Sequence, residues 1–351
     1  MKKSTLSYLK NLLDAPSPSG YEDAARAVWR EEMSTVAERV YGDTHGNSIA
    51  VLNEKGKKRV MLAGHIDEIG FQVNYISDEG YLHFQPIGGF DTQIIPGRRV
   101  IIHTAKGPLK GVIGKKAIHL MSPDERKKVP EFADLWIDLG LNNGKKVKKM
   151  VEIGDPVTYC EGFEHLIDSV YVSRGVDDRI GSFVVGEVLR YLKGRKFDPA
   201  VYAVATVQEE IGLRGATTSA YGINPDVAFA VDVTFANSLD SNKKKTGDID
   251  LGKGPVVTRG PNFNPKLYDL IRTVAKTKKI PVQLDAASRG TGTDANAIQL
   301  TRAGVATALV SIPNRYMHTP VELFDIRDVE GAVALIAETI IALDAKSDFI
   351  L

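Results

Sequence analysis

Apolar residues near the amino terminus recur at the spacing of a helical face. Leucines within residues 6–13 repeat every three or four positions, and Pro16 ends the pattern. Ser19 and Glu22 follow with the spacing of a capping box, in which a hydroxyl and a carboxylate satisfy free backbone amides. The pattern therefore predicts two short helices, the second opened by this box.

Short apolar runs and amphipathic segments then alternate along most of the chain. The run at 59–63 is continuously apolar after Arg59, which is typical of a strand covered on both faces. The pattern predicts strands at 48–52, 59–63, 201–207, 227–233 and 305–312, and helices at 178–192, 265–277 and 329–343. Such alternation indicates an α/β domain.

Residues 71–165 have a different pattern of apolar and turn-forming residues. Phe71, Val73 and Tyr75 alternate with polar residues, and turn sequences such as Asp78-Glu-Gly80 follow in quick succession. Period-two alternation between close turns is typical of short antiparallel strands. We predict one α/β domain that is interrupted by an inserted β barrel.

Composition narrows the classes of partner. The formal net charge is +1, from 45 basic and 44 acidic side chains, which gives no reason to expect a nucleic-acid or membrane partner. A single cysteine, Cys160, excludes an internal disulfide and a thiolate zinc site, and it indicates a reducing, cytoplasmic compartment. No apolar run approaches the ~18 residues of a membrane span.

A histidine and an aspartate follow the continuously apolar run at 59–63. On an extended segment, Asp67 projects to the same side as His65, so it can hold the second imidazole nitrogen and fix the tautomer. A lone histidine is more often a packed or surface residue. The pair, however, has the arrangement of a metal ligand with its supporting carboxylate.

Several carboxylates occupy comparable places. Asp177 lies where a predicted helix begins, which favours negative charge but is also an ordinary N-cap position. Glu209 and Glu210 follow the strand at 201–207, and adjacent carboxylates there are costly unless something positive neutralises them. Because neighbouring strand residues point oppositely, we expect one ligand and one general base. A pair of exposed acids opening a loop is the alternative.

Asp232 lies inside the apolar run at 227–233, where an unpaired charge costs several kcal/mol, so it needs either a metal or a buried salt bridge. His318 follows the strand at 305–312. Imidazole and carboxylate ligands without thiolates suit zinc, cobalt or manganese in an open catalytic site. In open α/β sheets, ligands gather outside the carboxyl ends of the strands, and we expect these residues to converge there.

Five stretches of the chain match one known family in order and spacing. They are Gly64-His-Ile-Asp-Glu-Ile-Gly70, Val176-Asp-Asp-Arg-Ile-Gly181, Gln208-Glu-Glu-Ile-Gly-Leu-Arg-Gly-Ala216, Asp232 and Tyr316-Met-His-Thr-Pro-Val-Glu322. On these residues the whole chain resembles the M42 family of metallo-aminopeptidases, the tetrahedral or TET peptidases that are also described as glutamyl or deblocking aminopeptidases.

The resemblance implies an α/β fold of the dinuclear-metal exopeptidase type, with a mixed sheet, helices on both faces and an inserted small all-β barrel domain. The implied divisions are the first part of the catalytic domain at 1–68, the inserted dimerisation barrel at 69–165 and the second part of the catalytic domain at 166–351.

The resemblance also implies two divalent metal ions per subunit, zinc or cobalt. The implied metal ligands are His65, Asp177, Glu210, Asp232 and His318. Asp177 would bridge the ions, Glu209 would be the general base and acid, and Asp67 would support His65. Many relatives carry Asp-Asn-Arg where this chain has Asp177-Asp-Arg179, and we expect the first aspartate to be the ligand.

The implied reaction is removal of amino-terminal residues from peptides, in a hollow tetrahedral dodecamer built from dimers. A dinuclear metal carboxypeptidase or deacylase is the alternative within the hydrolases. An endoglucanase and an assembly or binding protein without chemistry are further alternatives. Adjacent Glu209 and Glu210 disfavour the glucanase, because glycosidase carboxyl groups stand ~5 to 9.5 Å apart across the bond.

Overall fold

The computed structural model describes residues 1–239, 241–344 and 346–351. The helices are α1 Lys3–Asp14, α2 Asp23–Ser34, α3 Gly144–Val147, α4 Val176–Leu192, α5 Arg214–Ile223, α6 Lys243–Thr246, α7 Pro265–Lys278, α8 Ala295–Ile298 and α9 Ile326–Ala342. No helix in these ranges is long and apolar enough to cross a membrane.

Strands follow one another from β1 to β8, and strands and helices alternate through most of the chain after β11. They are β1 Arg39–Gly42, β2 Ser48–Leu52, β3 Arg59–His65, β4 Gly70–Ile76, β5 Leu82–Ile87, β6 Arg99–Thr104, β7 Gly107–Gly114, β8 Trp136–Asp138, β9 Pro156–Tyr159, β10 Glu164–Ile167, β11 Val170–Ser173, β12 Ala200–Thr206, β13 Val227–Phe235, β14 Val256–Arg259, β15 Gln283–Ala286, β16 Ala306–Asn314 and β17 Glu322–Asp325.

The larger sheet holds eight strands within the described residues, in the order β1-β2-β12-β3-β13-β16-β14-β15. Its centre is parallel, because β3 pairs with β12 and β13, and β13 pairs with β16. Antiparallel pairs of β1 with β2, β2 with β12 and β14 with β16 make the sheet mixed. The central strands are buried almost throughout, which follows from their apolar sequences and from cover on both faces.

Helices enclose this sheet on both faces. On one face, α1, α2, α4, α7 and α9 build the main core, where Trp29 and Phe183 are fully buried. On the other face, α5 and α8 cover a second cluster that includes Met61 and Val204. The predicted mixed α/β fold is therefore confirmed.

The middle of the chain forms the predicted small all-β barrel. Strands β4, β5, β8, β7, β6 and β9 close on one another through antiparallel pairs. The barrel has its own core, in which the ring of Phe71 contacts those of Phe84, Phe90 and Tyr159. A small sheet of β10, β11 and β17 follows the barrel.

The second helix does not use the predicted capping box. α2 begins at Asp23, and Glu22 precedes it without a side-chain cap. Ser19 Oγ instead donates to the carboxylate of Asp67, and Glu22 Oε1 accepts from the amide of Gly20 at 2.6 Å. The capping-box prediction was wrong because a distant buried carboxylate takes the serine hydroxyl.

β3 and α4 approach each other closely at two glycines. A Cβ added at Gly64 would lie 2.3 Å from the carbonyl carbon of Gly181, and one added at Gly181 would lie 2.1 Å from Oδ2 of Asp178. Ser182 Oγ also donates to the carbonyl of Gly64 at 2.8 Å. These contacts hold the carboxyl end of β3 against the first turn of α4.

We expect Gly64→Ala to lower the free energy of unfolding by about 1–3 kcal/mol, because the added methyl group must push strand and helix apart. Thermal unfolding followed by circular dichroism measures the change in Tm. Gly222→Ala in α5 is the control, because an added Cβ there meets no described atom within 4 Å, and its Tm should be maintained or rise slightly. A Gly64→Ala protein with the wild-type Tm would contradict the close contact.

Candidate metal centre

The carboxyl ends of three parallel strands meet at one edge of the large sheet. His65 is the last residue of β3 and pairs in register with Thr206, the last residue of β12. Asp232 lies in β13, two residues beyond Ala230, which pairs with Ala63. The register therefore places His65 and Asp232 at the same level on neighbouring strands.

His65 is buried and makes contacts through both ring nitrogens. Its Nε2 atom lies 3.1 Å from Oδ1 of Asp177 and 3.8 Å from Oε2 of Glu209. Its Nδ1 atom lies 3.1 Å from the carbonyl oxygen of Asp67 and 3.5 Å from Oδ1 of the same residue. Asp67 thus lies behind the imidazole, and its carbonyl oxygen is the nearer partner.

The carboxylate of Asp67 also fixes the segment that follows β12. It accepts the backbone amides of Glu209 and Glu210, each at 3.1 Å. β12 ends at Thr206, and Gln208 has a φ of 55°, so both glutamates lie in a turn. The strand alternation assumed in the sequence prediction is therefore wrong here. The turn directs Glu209 to His65 and Glu210 to His318.

Asp177 and Asp178 lie in the first turn of α4 but have different surroundings. Both have non-helical backbone angles, and the peptide bond between them is cis. The two carboxylate oxygens of Asp177 lie 3.1 Å from Nε2 of His65 and 3.3 Å from Nε2 of His318. The carboxylate of Asp178 accepts the backbone amides of His65 and Gly181, both at 3.1 Å. Asp177 is therefore the aspartate that faces the imidazoles.

His318 lies in a turn beyond β16 and has a φ of 60°. Its Nε2 atom lies 3.3 Å from carboxylate oxygens of both Asp177 and Glu210. Its Nδ1 atom lies 2.9 Å from the carbonyl oxygen of Gly89, which follows β5 of the barrel. The inserted barrel thus contacts the ring of His318 directly.

Burial and neighbouring charges change the ionisation of these groups. Burial raises the pKa of Glu209 to about 10, against the opposite charge of His65 and with the like charge of Asp232. Burial also raises the pKa of Asp232 well above its usual range. Burial opposes the charged form of His318, but hydrogen bonds with Asp177 and Glu210 raise its pKa to about 11. The imidazoles do not offset the cost of ionising all of these carboxyl groups, and divalent cations stabilise their charged form.

The donor atoms fit divalent cations in both type and spacing. Two groups of ligand atoms have all members within 4.8 Å of one another; these are His65 with Asp177 and Glu210, and His65 with Asp178 and Asp232. Oε1 of Glu209 is buried and has no hydrogen-bond partner in the part of the chain that the structure describes, whereas Oε1 of Glu210 lies 3.3 Å from Nε2 of His318. Because buried carboxylate oxygens normally have partners, the unpaired oxygen of Glu209 is available to a ligand.

Sequence reasoning gave no role to Glu322, which joins two segments of the site. Its carboxylate oxygens accept the backbone amides of Asp177 at 3.0 Å and His318 at 2.8 Å. The sequence signal that could have indicated a role for Glu322 was its position at the end of the family-matching stretch 316–322. Another buried acid that was missed is Glu68, one residue after Asp67.

Glu68 lies in a buried group of opposite charges. Its Oε1 atom lies 2.5 Å from Nη1 of Arg174 and 2.9 Å from Nη1 of Arg179, and all three side chains are buried. Burying a charge without a partner is strongly unfavourable, so loss of one member of this group would destabilise the contact between the end of β3 and the start of α4.

A cleft of about 620 Å³ opens over this edge of the sheet. The lining includes His65, Asp177, Glu209, Glu210, Asp232 and His318. The structure therefore brings together the predicted ligands and the predicted general base, while Asp67 lies beneath them.

Known proteins share this architecture. The family model for M42 glutamyl aminopeptidase matches residues 46–335. A lysyl aminopeptidase of Pyrococcus furiosus is 39% identical over 331 residues, which cover 93% of this chain and 94% of that protein. The crystal structure of a TET aminopeptidase from Thaumarchaeota archaeon SCGC AB-539-E09 matches with a TM-score of 0.94 at 36% identity, and 98% of each chain is covered.

A further solved relative is the TET1 peptidase of Pyrococcus horikoshii, which can assemble into a tetrahedron or a large octahedral shell. It matches with a TM-score of 0.87 at 33% identity over 97% of this chain and 100% of that chain. The chain belongs to the M42 peptidase family, and it is a peptidase that hydrolyses peptide bonds. The resemblance found in the sequence is confirmed.

The different surroundings of the two aspartates generate a prediction. We expect Asp177→Asn to lose most bound divalent cation, because its oxygens face the other candidate ligands. We expect Asp178→Asn to lower the free energy of unfolding by about 1–3 kcal/mol, because its buried carboxylate accepts two backbone amides. Elemental analysis of dialysed protein and thermal unfolding measure the two effects. Cation loss in Asp178→Asn with full retention in Asp177→Asn would reverse the assignment.

Proposed function

We propose that the protein is a dinuclear metal-dependent aminopeptidase that removes amino-terminal residues from peptides. One observation carries the proposal: two groups of ligand atoms share His65, and the buried carboxylate of Glu209 lies beside them with one oxygen unpartnered among the described residues. The ligand types agree with an open catalytic site. Names of relatives do not decide the preferred residue, because the family description says glutamyl and the Pyrococcus furiosus relative is lysyl.

We propose that His65, Asp177 and Asp232 hold one cation and that Asp177, Glu210 and His318 hold the other. Asp177 is preferred to Asp178 as the shared ligand, because both oxygens of Asp178 already accept backbone amides. Zinc or cobalt suits this set of nitrogen and oxygen donors. Such cations supply Lewis-acid activation of water and of a peptide carbonyl group.

The proposed proton carrier is Glu209. Its Oε1 atom would accept a proton from the attacking water and return that proton to the amine nitrogen as the peptide bond breaks. Asp67 holds the backbone of Glu209 through a hydrogen bond of 3.1 Å, which keeps the carboxylate facing the cleft. Asp67 also lies behind His65 and so positions both a ligand and the proton carrier.

We further propose that residues 69–165 form an inserted dimerisation unit between catalytic parts at 1–68 and 166–351, and that dimers build a tetrahedral dodecamer. The separate hydrophobic core of the barrel supports an independent unit. The assemblies formed by the TET1 peptidase of Pyrococcus horikoshii support the oligomer. A hollow particle with inward-facing sites would restrict substrates to peptides and unfolded segments.

We expect Glu209→Gln to lower kcat for aminoacyl substrates by about a hundredfold to ten-thousandfold, because an amide cannot carry the proton. Metal content and particle size should match those of the wild type. Glu210→Gln is the matched comparison: as a proposed ligand, it should lower metal content as well as kcat. A Glu209→Gln protein with a rate near that of the wild type would remove Glu209 from the mechanism.

Chelation tests metal dependence and separates the alternatives. We expect dialysis against a chelator to abolish hydrolysis of amino-acid p-nitroanilides, and zinc or cobalt to restore it, with particle size followed by light scattering. N-acyl amino acids are the comparison substrates. Cleavage of only the acyl compounds would favour a carboxypeptidase or deacylase, and full activity after complete metal removal would reject the dinuclear mechanism.

A further inference from the structure

The register of the large sheet connects the candidate metal centre with a more distant acidic residue. Asp232 of β13 pairs with Ser311 of β16, and Ser311 pairs with Val256 of β14. Thr258 lies two residues beyond Val256, on the same face of β14, and pairs with Asp285 of β15. Asp285 therefore lies on the face of the sheet that carries Asp232.

The cleft over the metal centre follows this row of residues. Ser311, Thr258 and Asp285 all line it, together with the metal-centre residues. Three strand spacings separate β13 from β15, and neighbouring strands lie roughly 4.8 Å apart, so Asp285 stands about 14 Å across the sheet from Asp232. A residue bound at the cations would need a long side chain to approach the carboxylate of Asp285.

Asp285 is the only charged residue that lines the described part of the cleft outside the candidate ligands and Glu209. It is half-buried, and its side chain makes no hydrogen bond or ion pair with the described residues. The nearest cationic neighbour along the strands is Arg259, which alternation places on the opposite face, where its guanidinium lies 5.8 Å from the ring centroid of Tyr268. The carboxylate is therefore open to a cation that enters the cleft.

The walls between the two ends of the cleft are apolar or uncharged. Phe235, Leu309 and Met317 line it, along with the uncharged segment 291–293. Apolar walls suit the methylene chain of a lysine or arginine side chain, whose charged end needs a polar partner. An acidic side chain entering the same cleft would meet Asp285 and gain no compensating cation from the described lining.

We propose that Asp285 is a specificity-determining residue that selects peptides with lysine or arginine at the amino terminus. The inference rests on the proposed aminopeptidase function, because it places the amino-terminal residue between the metal centre and Asp285. The carboxylate would accept hydrogen bonds from the ammonium or guanidinium group, and the apolar walls would contact the side-chain methylenes.

The test compares kcat/KM for lysyl, arginyl, leucyl and glutamyl p-nitroanilides in metal-loaded protein. The wild type should prefer the two basic substrates. Asp285→Asn should lower kcat/KM for them by about tenfold or more, as expected for loss of a charged hydrogen-bond partner, with little change for the leucyl substrate. Asp285→Glu should retain the basic preference, and Asp285→Lys should shift it towards the glutamyl substrate.

Asp269→Asn is the matched control, because Asp269 is an exposed aspartate on α7 outside this cleft, and its substrate preference should equal that of the wild type. Equal losses on basic and leucyl substrates in Asp285→Asn would mean that Asp285 only supports the fold, which overturns the proposal. A wild type that prefers leucyl or glutamyl substrates also overturns it, while leaving the aminopeptidase function intact.

Binding of amino-acid amides tests the role of Asp285 independently of peptide hydrolysis. Isothermal titration with L-lysinamide and L-leucinamide should show tighter binding of lysinamide to the wild type, and Asp285→Asn should remove that difference. If no aminoacyl substrate is cleaved while lysinamide still binds through Asp285, the proposed function is wrong, and the pocket for basic side chains is supported. Equal binding of both amides by the wild type would overturn the pocket itself.

Discussion

Buried carboxylates crowd the carboxyl edge of the large sheet, and the α/β part of the chain is arranged around their charge. Asp177, Glu209 and Asp232 lie near the imidazole of His65, in a region where an unpaired charge costs several kcal/mol. Asp67 is more fully satisfied, because it accepts backbone amides. Bound divalent cations would compensate the charge of the remaining carboxylates at this edge.

The surrounding chain keeps these groups close despite their repulsion. Glu68 joins the end of β3 to two arginines near the start of α4, and Gly64 allows that strand to contact the helix backbone. Glu322 ties the turn that carries His318 to the amide of Asp177. These backbone contacts hold the candidate ligands in position before cations bind. Such preorganisation is what a catalytic site requires.

Much of this was predictable from sequence, because strands and helices with strong periodicity end where the candidate ligands begin. The convergence of His65, Asp177 and Asp232 followed from the rule that carboxyl ends of strands share one edge. Partners over long separations were not predictable. Ser19 donates to the distant Asp67 and does not cap the neighbouring helix. The turn after β12 orients Glu209 through a hydrogen bond with Asp67 that no local sequence pattern indicates. Such choices depend on which groups the completed fold brings within reach.

The sheet also separates the proposed reaction chemistry from the proposed choice of substrate. His65 and Asp232 lie on β3 and β13 near the centre of the sheet, whereas Asp285 lies on β15 at its edge. A charge change at Asp285 leaves the register of the central strands untouched, because β15 pairs only with β14 among the described strands. One arrangement of central strands is therefore compatible with different amino-terminal preferences, and the residues that face the cleft from β14 and β15 are where we expect such preferences to be set.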